Sequence, residues 1–336
     1  MNSAPLLAAS DLVKGFPLKR SAFDLLAHRP VRKVQALDRV SLEIAQGETL
    51  GIVGESGCGK STLARCLVRL QEPDAGAVSF NGLDVLALRG SARRAYNRQV
   101  QMVFQDPYGS LNPRLTVGEA LGEALRVHRI VPPAQISGRV SHLLDLVHLP
   151  REAARRYPRE FSGGQRQRVG IARALAVEPS IVIADEPVSA LDVSVQAQIV
   201  NLLLELQQRL GLALIFITQD LRLVRHISHR VAVMSLGRIV ETGDTEALFA
   251  APRHPYTRAL IAAVPQIAHG DRAAREPLRG ELPSAVDPPP GCPFHPRCPV
   301  AEARCRVDVP ALDLRSCGWP VACHLAGAPA MEGIGQ

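Results

Sequence analysis

Gly54-Glu55-Ser56-Gly57-Cys58-Gly59-Lys60-Ser61 is the stretch on which the reading of this chain turns. It follows an apolar run, Leu50 to Val53, and precedes an amphipathic stretch, Thr62 to Leu70, so the order is strand, glycine-rich turn, helix. Gly54, Gly57 and Gly59 let the backbone turn its N–H groups inward around a polyphosphate, and the start of the next helix adds partial positive charge. Lys60 is expected to reach the β- and γ-phosphates, and the Ser61 hydroxyl to hold Mg²⁺. Glu55, Ser56, Cys58 and Thr62 complete the expected cradle.

The 336 residues suffice for two or three compact units. With 46% hydrophobic and 21% charged residues the chain can bury a core. A net charge of +7 invites a nucleic-acid reading, but the basic residues are scattered and aromatics make up only 4%, too few for base-stacking platforms. Nucleic acid is therefore not an expected partner, and a solvated basic surface is the default. No apolar run approaches the roughly 18 residues that span a bilayer, and Met1 to Asp11 lacks the pattern of a secretion signal. The expected place is the cytosol, or the cytosolic face of a membrane reached through a partner.

Val34 to Glu48 alternates apolar and polar residues, an antiparallel strand before the glycine-rich loop. A strand pair surrounds Ala77 to Phe80, closed by Asn81-Gly82. Pro107 to Pro158 shows helical periodicity broken by prolines, a helical subdomain inserted into an α/β core. Strand-like runs at Ile181–Ala184 and Ala213–Thr218, separated by a helical stretch centred on Ile199 to Leu210, predict a mostly parallel sheet covered by helices. Asp271 to Pro290 carries Pro277, Pro283, Pro288, Pro289 and Pro290 and reads as a linker to a short, separate, cysteine-rich tail.

Asp185 and Glu186 stand at the carboxyl end of a strand, where open α/β sheets bind ligands, and fit a Mg²⁺ ligand followed by a water-activating base. Ser162-Gly163-Gly164-Gln165 opens a helical pattern with a good cap and a backbone that can approach a phosphate. The order of the glycine-rich loop, Gln105, Ser162 to Gln165, Asp185-Glu186 and Ser189-Ala190-Leu191-Asp192 resembles the ATP-binding subunit of an ABC transporter over roughly residues 10 to 250. The resemblance implies a P-loop NTPase (RecA-like) α/β core with an N-terminal antiparallel β subdomain and an α-helical subdomain at about 107–165. The nucleotide-binding domain would be 1–250 and a C-terminal extension 251–336. It also implies that Phe16 stacks on adenine, and that Gln105 senses the γ-phosphate and Mg²⁺. Ser162, Gly163, Gly164 and Gln165 would bind ATP held by the opposite subunit of a head-to-tail dimer, and Asp192 would link the two sites.

Members of this family carry a histidine where this chain has Gln219. Glutamine hydrogen-bonds a phosphate or a water but takes up no proton. Two readings stand: this chain's own site binds ATP and hydrolyses it slowly, or Glu186 with Gln219 suffices. Neighbouring His226 and His229, placed on the next helical stretch, are poor replacements.

Asp106 to Arg114 and His254-Pro255-Tyr256-Thr257-Arg258-Ala259-Leu260 resemble the branch importing di- and oligopeptides, with relatives handling nickel and glutathione. That branch implies a second ABC ATPase subunit in a heterodimer, two transmembrane permease subunits, and a periplasmic or surface solute-binding protein at the inner membrane. A soluble ABC ATPase of translation or DNA repair is the alternative. In the tail, Cys292, Cys298, Cys305 and Cys323 lack the Cys-x2-Cys knuckles usual for zinc. By resemblance they match the positions of a four-iron four-sulfur (4Fe-4S) cluster; zinc, or an unoccupied or disulfide-linked tail, stays open. Cys317 is an additional thiol, and Cys58 and Cys66 are expected to be small packing residues.

Overall fold

The computed structural model describes residues 4–18, 31–106, 109, 111–264, 283–314 and 318–326. Pro107, Tyr108 and Ser110 of the peptide-branch stretch, most of the proline-rich linker, and Cys317 lie outside the described residues.

Strands β1 (Leu7–Pro17) and β2 (Lys33–Ile44) pair antiparallel. β3 (Thr49–Val53) then enters the glycine-rich loop, and α1 (Lys60–Leu67) leaves it. β4 (Ala75–Phe80) and β5 (Leu83–Asp84) complete a four-stranded antiparallel sheet in the order β2-β1-β4-β5. Their hairpin turns at Asn81 and Gly82, both with positive φ (50° and 78°), as an Asn-Gly turn favours. Helix α2 (Gly90–Gln99) leads to β6 (Val100–Val103).

The inserted helices follow as expected: α3 (Val117–Val127) and α4 (Ile136–Leu146). Thr116 starts α3 with a capping box, its hydroxyl accepting from the Glu119 N–H while the Glu119 carboxylate accepts from the Thr116 N–H at 2.7 Å. Leu121 and Leu125 of α3 and Val140, Leu143 and Leu144 of α4 fall on helical spacing and share one core with α5 (Gly163–Leu175). β7 (Ile181–Asp185), α6 (Val193–Leu210), β8 (Ala213–Thr218), α7 (Leu221–Ile227), β9 (Arg230–Ser235) and β10 (Arg238–Asp244) complete the α/β body. β9, β3, β8, β7 and β6 run parallel in that order. Their central members β3, β7 and β8 are buried at every position, which explains why they read as unbroken apolar runs rather than alternating ones. His229 sits in the connection after α7 rather than on a helix, and its Nδ1 accepts from the Thr49 N–H at 2.8 Å.

The expectation of a separate tail is overturned. Helices α8 (Thr245–Ala250) and α9 (Pro255–Ala262) are followed by the two-residue strands β11 (Asp313–Leu314) and β12 (Pro320–Val321), and β12 joins the main sheet beside β10. Tyr256, Cys292, Phe294 and Cys305 share a buried cluster with Val53, Val231 and Val233 from the sheet. Proline density suggests independence, whereas apolar residues beyond the prolines belong to the body's own core.

The joint is organised by Glu241 on β10, which is fully buried. Its Oε1 accepts from the Arg253 N–H (2.8 Å) and the Trp319 Nε1–H (2.9 Å), and its Oε2 from the His254 N–H (3.0 Å). His254 beside it is buried and accepts at Nδ1 from the Tyr256 N–H. Burial pushes its pKa from 6.5 down to about 3, so the folded chain holds it neutral. Below pH 6.5 the unfolded chain binds a proton that the folded one refuses. Stability from this group is complete above 6.5 and is lost as pH falls towards 3, by up to about 1.4 kcal/mol per pH unit. Thermal melts across that window should show a falling midpoint, and His254→Gln should flatten the fall.

Candidate active site

The glycine-rich loop lies between the end of β3 and the start of α1, at the carboxyl edge of the parallel strands. Gly57 and Gly59 have φ of 77° and 107°, conformations that side-chain-bearing residues rarely adopt. A Cβ at Gly54 would collide with the Met234 carbonyl, and one at Gly59 with the Ala36 carbonyl of β2, so both sheets press on the loop. Cys58 and Cys66 are buried packing residues, as expected. Lys60 is only 4% exposed, and its ammonium donates to the carbonyls of Gly54 (2.8 Å) and Glu55 (3.0 Å). These bonds hold the charge at the mouth of the loop, where a polyphosphate would meet it.

The Ser61 hydroxyl donates to Asp185 Oδ1 at 3.0 Å. Burial raises the Asp185 pKa, and the Ser61 hydrogen bond, Arg65 and Lys60 act against that rise. A hydroxyl and a carboxylate in contact beside the loop are oxygen donors of the kind Mg²⁺ takes, so the pair fits the ion. Glu186 follows with a positive φ of 45°, a strained backbone of the sort that functional sites retain. Its N–H donates to the Ile217 carbonyl at 2.9 Å, and its Oε2 accepts from Gln105 Nε2 at 3.1 Å. Gln105 also approaches the Ser189 hydroxyl at 3.5 Å. Gln219 stands exposed just past the end of β8, the strand that pairs with β7 before Glu186. Lys60, Ser61, Gln105, Asp185, Glu186 and Gln219 thus gather at adjacent strand ends.

Ser162 to Gln165 are elsewhere, at the start of α5. Ser162 is exposed and caps the helix, its hydroxyl accepting from the Gln165 N–H at 3.3 Å. A Cβ at Gly164 would strike the Val195 side chain, so these glycines pack against the segment that carries Asp192. Asp192 is exposed and Val193 is 77% exposed beside it, an apolar side chain left facing outward. Among the described residues no hydrogen bond joins the serine-glycine-glycine corner to its own chain's glycine-rich loop. Phe16 lies partly buried on β1, paired with Val34 two residues from Ala36, and Lys14 Nζ stands 5.7 Å from its ring centre.

Two contacts had no signal in the sequence. Tyr256 OH accepts from the Glu55 N–H at 3.0 Å, and Arg297 forms a two-pronged ion pair with the Glu55 carboxylate at 2.8 and 3.0 Å. Glu55, expected to line the cradle, has both its N–H and its carboxylate committed to the C-terminal extension. In that extension Cys292, Cys305 and Cys323 are buried and Cys298 is half-buried. Burial pushes the Cys292 thiol up to about 11, with the other three thiols as smaller contributors. Among the described residues no three His, Cys, Asp or Glu side chains converge into a group that could hold a metal ion, so the fold lends no direct support to the expected 4Fe-4S site.

The sequence profile described as ABC transporter matches residues 37–189, and that described as the C-terminal region of oligopeptide/dipeptide transporters matches residues 240–305. The chain is 55% identical to a probable peptide ABC transporter ATP-binding protein, y4tS, of Sinorhizobium fredii, covering 98% of this chain and 92% of that one. It is 47% identical to the oligopeptide transport ATP-binding protein AppF of Bacillus subtilis, over 96% and 98% of the two chains. Among solved structures it resembles the ATP-binding cassette MJ0796, described as a dimer bound to ADP and Pi, with 28% identity and a TM-score of 0.62 over 71% of this chain and 98% of that one. It also resembles cbiO1 of Clostridium perfringens, part of the ABC transporter complex cbiONQ, with 27% identity and a TM-score of 0.62 over 74% and 92%. A loop, a paired carboxylate and a capped glycine corner in this order, on this sheet, agree with relatives that run the length of the chain: it belongs to the ATP-binding subunits of ABC transporters, among those of the peptide and oligopeptide systems.

Proposed function

We propose that this chain binds and hydrolyses ATP to drive import of di- or oligopeptides through an ABC transporter. The observation that carries this is one chain holding both an ATP-binding cassette site and an oligopeptide-type C-terminal region. Among the described residues no helix is long and apolar enough to cross a membrane; in this proposal two permease subunits form the path and a solute-binding protein delivers the cargo. The soluble alternative in translation or DNA repair, and nickel or glutathione as cargo, have no specific observation in their favour.

In this reading Lys60 and the backbone of Gly57, Gly59, Ser61 and Thr62 hold the phosphates, Ser56 and Cys58 shape the turn, and Phe16 packs on adenine. Ser61, Asp185 and Gln105 would hold Mg²⁺, which neutralises phosphate charge when bound. Glu186 takes a proton from the attacking water, with Gln105 and Gln219 orienting it. Ser162, Gly163, Gly164 and Gln165 complete the site of a second ATPase subunit, and Asp192 lies at the junction; the exposure of Ser162, Asp192 and Val193 supports this. Residues 1–250 are the nucleotide-binding unit, its helical subdomain at about 107–165 facing the permeases, and 251–336 the extension, whose described residues include several packed onto that unit. For the tail, Cys292, Cys298, Cys305 and Cys323 are the residues that would hold an iron–sulfur cluster. What supports this reading is the all-thiol composition of the set; the thiols do not converge into a ready-made site, so a bound cluster would have to draw them together as a staple.

The test is reconstitution in vesicles with both permeases and the second ATPase subunit, following peptide uptake and ATP turnover. Uptake that needs ATP and this chain is the expected result; peptide-independent turnover, with ribosomes or DNA recovered alongside the chain, would reject the reading. Since Gln219 cannot store a proton, the dimer is asymmetric in this proposal. Glu186→Gln here should lower turnover by about twofold or less, and the equivalent change in the second subunit by roughly 10²-fold. Equal losses would remove the asymmetry.

A further inference from the structure

The Glu55 peptide joins three parts of the molecule. Its carbonyl accepts from the Lys60 ammonium at 3.0 Å, its N–H donates to Tyr256 OH at 3.0 Å, and its carboxylate receives both prongs of Arg297 at 2.8 and 3.0 Å. Tyr256 is fully buried and Arg297 is 7% exposed at its side chain, so neither contact is a loose surface pairing. Phe294 braces both: its ring centre is 5.4 Å from that of Tyr256 and 5.9 Å from the Arg297 guanidinium carbon. Tyr256 comes from α9 and Arg297 from the short turn His295–Arg297, so two separate segments of the extension reach one residue of the loop.

We propose that Tyr256 and Arg297 are positioning residues for ATP binding: the C-terminal extension clamps Glu55 and thereby fixes both the entrance of the phosphate-binding loop and the ammonium of Lys60. The clamp acts in two ways. It removes the freedom of the peptide whose carbonyl orients Lys60, so that less ordering remains to be done when a nucleotide arrives. It also neutralises a carboxylate that would otherwise stand unpaired next to bound phosphates. The planar fork of arginine matches a carboxylate at both oxygens, which a lysine cannot do. Neither residue touches the nucleotide; both act through Glu55.

The inference rests on the nucleotide-binding reading of the loop, and the affinity of the unaltered chain for MgATP tests that reading separately. The measurement is calorimetric titration of the full chain and its variants with MgATP, with thermal melts to confirm folding. Tyr256→Phe and Arg297→Ala should each raise Kd by about tenfold, the scale of a lost hydrogen bond to a charged or buried partner. Arg297→Lys should recover only part of the loss. Adding Glu55→Gln to Arg297→Ala should cause no further weakening, because the stranded carboxylate is gone. In the assembled transporter KM for ATP should rise while kcat stays within about twofold, a split that general destabilisation would not produce. If Arg297→Ala does not fold, Tyr256→Phe and Arg297→Lys carry the test. The clamp is overturned if the folded variants bind MgATP within about twofold of the unaltered chain, or if the Arg297 and Glu55 effects simply add. An unaltered chain that fails to bind MgATP would instead sink the nucleotide reading itself.

Discussion

Lys60→Ala is expected to weaken MgATP binding by roughly 10- to 150-fold while leaving the fold intact. The range is that of a hydrogen bond to a charged group, about 1.5–3 kcal/mol, and binding of a polyphosphate uses the lysine as a point charge in a poorly solvated place. Lys60 is only 4% exposed, and among the described residues its ammonium bonds neutral carbonyls and the Cys58 sulfur, at 3.9 Å. Among the described residues no carboxylate forms an ion pair with it, so its charge stays available to a ligand. Removing it also relieves the cost of burying a cation, which is why the melting temperature should hold or rise slightly. Lys60→Arg is no remedy, because the longer planar head would have to displace the carbonyls of Gly54 and Glu55. Equilibrium titration with MgATP and a parallel melt decide the matter. Unchanged affinity would show that the loop at 54 to 61 does not grip phosphate, and the functional reading would fail with it.

The residues doing this work were legible because their signals are local. Glycines with forced backbone angles, a lysine and a serine follow one another within eight positions, and the same holds for the capped Ser162-Gly163-Gly164-Gln165 corner and for the carboxylates closing β7. The parallel sheet was legible too, since strands buried on both faces leave unbroken apolar runs. What escaped was long-range. Glu55 meets Tyr256 at 201 positions' distance and Arg297 at 242, and Trp319 meets Glu241 across 78. No periodicity announces such pairs, and an exposed-looking glutamate in β10 has the same letter whether it faces water or accepts from three N–H groups. The proline-rich stretch misled for a related reason: prolines mark where the chain leaves regular structure and say nothing of where it packs afterwards.

That hidden glutamate yields the other large effect. Glu241→Ala should cost about 3–5 kcal/mol, from the acceptor lost to three N–H groups and the cavity its side chain leaves. The substitution leaves the N–H groups of Arg253 and His254 and the Trp319 Nε1–H without their acceptor, in a place where Glu241 itself is fully buried. Burial without a partner costs about 1–3 kcal/mol for each polar group, and the cavity left by the side chain adds to it unless water enters. The backbone pairing of Glu241 with Val321 survives the change, so the strand edge remains while its side-chain anchor goes. Unfolding should therefore begin in the extension, with the segment around Trp319 becoming protease-sensitive before the rest of the sheet. Glu241→Gln should fall between, since its amide oxygen can still accept while its NH₂ meets a donor it cannot satisfy. Thermal melts with limited proteolysis separate the cases. If Glu241→Ala melted with the unaltered chain, the three hydrogen bonds would be replaceable by water, and the extension would owe its place to the apolar cluster around Tyr256 and Phe294 alone. Because the same extension supplies Tyr256 and Arg297 to Glu55, a chain weakened at Glu241 should also lose affinity for MgATP as it is warmed, before its parallel sheet melts.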